Sequence, residues 1–197
     1  MKPDFPLHFS FKILTPSNDF SVYDRENREI AYTRQRFFKI RERIDIYRDR
    51  SRKEKLFDIQ ADRIIDFNAE YTVRDAADNV LGKIKRAGMK SLWKTSYTVL
   101  DTAGRPLYTV QENNPWIAVL DGLVSDILVI GWLSGLFLNP SYGVRDTAGR
   151  EIYLLKKEPS LLERKFSLHK KGGAEEGDDV LVLNAVMMLM LLERNDG

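Results

Sequence analysis

The chain has no cysteine and only two histidines, His8 and His169, among its 197 residues. Without thiols it can form no disulfide framework, no thiolate nucleophile and no zinc-thiolate site, which fits a reducing compartment. Both histidines sit in strand-like alternations with no recurring acidic or nucleophilic partner, and phosphate-binding glycine loops and metal motifs are missing. No catalytic residue, metal site or cofactor is therefore predicted, and the chain reads as a non-enzyme. Met1 to Leu7 lacks a basic segment followed by an apolar one, so no secretory signal is predicted and the expected location is the cytoplasm. The net charge of +2 is too small to argue for nucleic acid. No stacking motif accompanies Tyr47 beside the densest basic positions, so no stacking platform for bases is read either.

With 43% apolar and 30% charged residues, the chain fits one domain spanning 1–197 around a substantial core. That core has a recognisable centre. Val180 to Leu192 is apolar except for Asn184, so a helix here, over about 179–193, must be surrounded by apolar material on every side. It falls short of the ~20 apolar residues a membrane span needs. Asp178 and Asp179 stand where the positive end of the helix dipole favours carboxylates and where an N-cap is wanted.

What wraps this helix is legible in a repeat, Val-x-Asp-x-x-(Gly/Asn/Asp)-x-x-(Leu/Ile). Copies start at Val22, Val73, Val99 and Val144, and a degenerate one runs from Tyr47 through Asp49 and Arg52. Asp at the first turn position, with Gly, Asn or Asp three residues on, is what a type I turn ending in a left-handed residue requires, so each copy reads as a β-hairpin loop. Asp24, Asp49, Asp75 and Asp101 are spaced by 25, 26 and 26 positions, as one two-stranded unit per repeat demands. Asp101 and Asp146 are 45 apart, and the excess is assigned to an apolar, helical insertion at about 116–138. Lys170 to Gly173 reads as a sixth hairpin.

Six hairpins give twelve antiparallel strands, and a sheet of that size curls, splits or closes. Twelve strands ~4.8 Å apart, tilted ~40°, form a ring roughly 24 Å across, leaving about 12 Å inside the inward side chains, near one helix diameter. The expected fold is mainly β, a closed twelve-stranded antiparallel barrel around the C-terminal helix. A two-sheet sandwich is the alternative, and it gives an all-round apolar helix no place.

The repeated V-Y-D-x-x-x-x-x-I, S-L-W-K-T-S-Y-T-V-L-D at 91–101, F-L-N-P-S-Y at 137–142, E-P-S-L-L-E-R-K-F-S-L at 158–168 and the terminal helix resemble the LURP-one-related family, grouped with tubby C-terminal domains and phospholipid scramblases. The resemblance runs from about Phe9 onward. It implies the barrel around a buried helix and says less about activity. Tubby domains bind phosphoinositides through basic barrel residues, which directs attention to the most basic stretch. The cysteine-rich lipidation segment and proline-rich N-terminal region of animal scramblases are missing here.

Residues 34 to 55 hold ten Lys and Arg against four acids. Arg34, Arg36, Lys39, Arg41, Arg43, Arg48, Arg50 and Arg52 recur mostly at period two, which sets strand residues on one face. They are the candidate site for anionic phospholipid headgroups at the inner membrane face, since each basic residue near such a surface contributes ~1 kcal/mol. The plainer reading is a solvated outer wall. The insertion at 116–138, with Asp121, Asp126 and a Gly131-x-x-x-Gly135 spacing, reads as an apolar contact surface for a protein partner or a second copy. Glu175, Glu176, Asp178 and Asp179 lack the alternation a calcium loop needs and read as helix capping plus solvated loop. Three functions stay open: a lipid-headgroup module, a structural or protein-binding barrel, and scramblase-like lipid transfer.

Overall fold

The computed structural model describes residues 2–12, 18–35, 43–62, 69–87, 96–113, 141–160, 163–174 and 177–193. Its strands are β1 (Leu7–Lys12), β2 (Asn18–Tyr23), β3 (Glu29–Gln35), β4 (Arg43–Tyr47), β5 (Lys55–Ala61), β6 (Glu70–Asp75), β7 (Val80–Ala87), β8 (Ser96–Leu100), β9 (Pro106–Glu112), β10 (Ser141–Asp146), β11 (Glu151–Glu158) and β12 (Glu163–Lys170), followed by helix α1 (Asp178–Glu193). Each strand pairs antiparallel with its sequence neighbours, and β1 pairs with β12, closing a twelve-stranded barrel. The alternation expected from sequence builds the wall. On β4, Ile44 and Ile46 are buried in the core while Arg43, Asp45 and Tyr47 look outward.

Five hairpins share one design and lie at one end of the barrel. In each, the residue three after the aspartate donates its amide to the aspartate carbonyl at 2.9–3.1 Å. That residue takes a left-handed conformation: φ is 61° at Asn27, 56° at Arg52, 66° at Asp78, 79° at Gly104 and 80° at Gly149. In four of the turns the carboxylate closes the loop as well, with Oδ1 of Asp24, Asp75, Asp101 and Asp146 accepting two amides each at 2.8–3.0 Å. A bulge precedes every one of the five, which adds twist where the strands reverse. The sixth turn departs from expectation. Lys170 to Gly173 does not join two strands; with φ of 122° at Gly172, 79° at Gly173 and 117° at Gly177, it redirects the chain into the bore. The twelve strands are ten from the five hairpins plus β1 and β12, which pair with each other.

Helix α1 enters at the hairpin end, and Leu181 through Leu191 are all buried. It leans toward β7 and β8. Gly82 of β7 makes that approach possible, because a Cβ there would come within 2.5 Å of the Leu100 carbonyl and 2.7 Å of the Leu181 side chain. The first turn is fastened to the wall by polar groups. Tyr108 donates to Asp178 at 2.6 Å; Tyr153 donates to Asp179 at 2.6 Å, and the Lys170 ammonium donates to both oxygens of Asp179 at 2.7 and 2.9 Å. Burial, reinforced by the Asp179 carboxylate, pushes the Tyr153 hydroxyl far above its ordinary range, so it remains a donor. Asn184, the single polar residue of the apolar run, is fully buried and returns its amide to the Val180 carbonyl at 2.8 Å.

Candidate functional site

The basic residues singled out in sequence occupy the outer wall, and the structure divides them. Arg34 is exposed near the end of β3, two residues beyond the Tyr32–Tyr47 pairing, and Arg43 opens β4. Arg48, Arg50 and Arg52 belong to the β4–β5 hairpin at the other end of that strand. Arg48 is five positions on from Arg43, a span of roughly 16 Å along extended chain. A single headgroup cannot touch both. Arg36, Lys39 and Arg41 lie outside the described residues, as do the insertion at 116–138 and Glu175 and Glu176.

Each of the three central arginines has a carboxylate. Arg43 meets Asp45 at 3.1 Å and Asp58 at 3.5 Å, Arg48 meets Glu54 at 2.9 Å, and Arg50 meets Glu29 at 3.3 Å. Arg50 also lies over β2, donating to Ser21 Oγ at 3.3 Å and to the Tyr23 hydroxyl at 3.2 Å. Their side chains nevertheless remain 49%, 41% and 49% exposed, so part of each five-donor guanidinium still faces solvent. Arg52 and Lys53 project from the tip of the same hairpin, both exposed. The arrangement can present a row of half-neutralised cations to a surface. It does not converge on one enclosed point.

A second polar constellation was not foreseen. His169, read from sequence as an ordinary strand residue, places Nε2 3.0 Å from Ser167 Oγ, and Ser167 donates to Glu158 Oε1 at 2.5 Å. Ser167 is 2% exposed, lying beneath the side chains around it. The period-two spacing of Ser167 and His169 was visible; the third member comes from β11 and needs the β11–β12 register to be found. Among the described residues no group of three or more His, Asp or Glu is placed to hold a metal ion. Nor is any helix among them long and apolar enough to cross a membrane.

Comparison with protein-family models, curated proteins and solved structures gives no match to this chain.

Proposed function

We propose that the chain is a non-enzymatic barrel module, akin to the LURP-one-related and tubby-like barrels, that docks at the cytoplasmic membrane face on anionic phospholipid headgroups. The observation that carries this reading is the outward, half-exposed row of Arg43, Arg48 and Arg50, continued by Arg52 and Lys53 at the hairpin tip. Over residues 43–55 six basic residues face three acids, an excess of three. Arginine offers phosphate oxygens paired donors in a fixed fork, and a row of such groups suits a plane of headgroups better than one soluble ligand. The test is co-sedimentation with phosphatidylserine or phosphoinositide vesicles over a salt series. Binding should weaken as salt rises. Replacing Arg43, Arg48, Arg50 and Arg52 together by Ser should cost about 2 to 4 kcal/mol of binding, at ~1 kcal/mol per basic residue. Absence of wild-type binding at low salt, or equal binding by the quadruple variant, sinks the proposal.

The carboxylate partners of the three arginines favour a second reading, in which the same pairs serve only to stitch neighbouring strands and the barrel is a structural or protein-binding unit. Under it the four substitutions would leave vesicle binding unchanged.

A further inference from the structure

Barrel closure brings the only two histidines of the chain, near its opposite ends in sequence, onto adjacent strands. His8 on β1 stands opposite Ser167 on β12, and Lys156 on β11 stands opposite Ser167 from the other side. The three form a row on the outer wall, because Leu7, Phe9, Leu155 and Leu168 beside them are buried in the core. His169 lies two residues further along β12, and Lys165 with Glu158 forms the row on the other side. His8 and Lys156 are exposed and His169 is half-buried, so the row is open to solvent above a buried Ser167.

The hydrogen bonds determine which nitrogen of His169 is protonated. Ser167 has one hydroxyl proton and gives it to Glu158, since an ionised carboxylate can only accept. Its oxygen therefore accepts from His169, whose Nε2 carries the hydrogen. Nδ1 keeps the lone pair, and a further proton can land there without breaking the chain Glu158–Ser167–His169. The charged and titratable groups facing His169 are Lys156 and Glu158 from β11 and His8 from β1. Burial first, then Lys156 and His8, hold His169 below the usual histidine range, while Glu158 acts in the opposite sense. An oxyanion seated against Lys156 would cancel that cation and add negative charge beside both imidazoles. Protonation of His169 then becomes favourable, and anion and proton bind together.

We propose that His8, His169 and Lys156 form a proton-linked site for a phosphate-type oxyanion on the outer wall, taken up with one proton on His169 Nδ1. The oxyanion could be supplied by a soluble phosphate ester or by a lipid headgroup. The site does not depend on the arginine face of the preceding proposal.

Sulfate is the primary probe, because its charge is constant over the pH range used. Histidine side-chain nitrogen NMR on the whole chain, in sulfate against chloride at matched ionic strength, should show Nε2–H in neutral His169 and an upward-moving His169 midpoint when sulfate is present. Sulfate affinity should rise about tenfold from pH 7.5 to 5.5, within the limit of one proton per anion. Lys156→Gln should weaken binding at both pH values. His169→Gln, whose amide can still donate to Ser167, should keep the melting temperature at pH 7.5 and make the acid strengthening of sulfate binding markedly smaller. An unmoved His169 midpoint, an Nδ1–H tautomer in the free protein, or a pH dependence that His169→Gln leaves undiminished overturns the proposal. The source is separated in the Arg43, Arg48, Arg50 and Arg52→Ser variant. Acid-strengthened pelleting with phosphatidic acid vesicles, reduced on adding His169→Gln, assigns a headgroup. Acid-strengthened phosphoserine binding without such pelleting assigns a soluble ester, and neither response counts against the site.

Discussion

The two faces of this barrel wall are drawn from alternate residues of the same twelve strands, yet they handle polar atoms in opposite ways. Inside, polar groups are few and turn to nearby backbone: Thr33 donates to the Asp45 carbonyl at 2.8 Å, and the Asn184 amide nitrogen donates to the Val180 carbonyl while its Oδ1 has no hydrogen-bond partner among the described residues. Outside, charges are many and paired, with the cations partly open to solvent, as at Arg43 with the buried Asp58, Lys55 with Asp58 at 2.7 Å, and Lys83 with Glu70 at 2.6 Å. The lesson is one of tolerance. A misplaced charge inside has no water to turn to, whereas a lost charge outside is replaced by solvent.

The most severe way to break that contrast is Met188→Asp. Met188 is fully buried on α1, and an unpaired carboxylate there costs several kcal/mol, comparable with the stability of a whole domain. Insoluble protein is expected; a soluble variant with wild-type melting would show that the helix does not fill the bore. Next comes Asp179→Ala, at the boundary between the faces. It strips Tyr153 and Lys170 of their shared acceptor, and a loss of about 2 to 4 kcal/mol in denaturant unfolding is expected, reduced because Lys170 keeps some access to water. Asp179→Asn should recover part of it.

Acid sharpens the comparison further, since it acts on the outer face first. The carboxyls of Asp24 and Asp146, which burial alone would raise, are held below their ordinary range by the amides and guanidiniums of Arg28 and Arg150. Asp75 is lowered by the Asn79 side chain and amide, and Asp101 by the Arg105 amide. A depressed carboxyl stabilises the fold above its unfolded pKa of about 3.9 and ceases to do so as pH falls through the folded value. His169, also depressed, binds its proton more readily when unfolded, so it subtracts stability as pH drops below about 6.5. The melting temperature should fall slightly below pH 6.5 and more steeply below pH 4, and His169→Gln should remove only the first step. The smallest effect belongs to the outer arginines. Replacing Arg43, Arg48, Arg50 and Arg52 by Ser should change stability by about 1 kcal/mol or less per pair, visible as a minor shift in calorimetry.

The fold was legible because its signals are local. Val-x-Asp and the left-handed residue three positions later specify a hairpin within a few residues, and the run from Val180 to Leu192 specifies burial without reference to anything else. The Lys170–Gly173 turn was misread because glycines that end a hairpin and glycines that lead into a helix look alike until the next element is placed. The candidate sites were less legible for a related reason. Period two puts Arg43 of β4 on the outer face, but Arg48, Arg50 and Arg52 lie in the hairpin turn beyond the strand, and no such pattern reveals that Arg48 closes on Glu54 or that Arg50 crosses to β2. The meeting of His8 with the Ser167 and His169 pair depends on ring closure, a relation between positions at opposite ends of the sequence that no local pattern carries.

That same seam has a consequence for how the molecule is made. β12 is synthesised after the ten strands that follow β1, so the ring cannot close until every strand has emerged, and α1 follows every strand it must fill. Long sequence separation between partners slows folding, and until closure the ribbon has two unpaired edges and a bare apolar face. The open ribbon is the species a chaperone would hold. Cutting the chain in an Asp hairpin and joining its present ends would move the late-closing seam elsewhere in the ring, and the refolding rate of such permutants would report how strongly the β1–β12 pairing governs assembly.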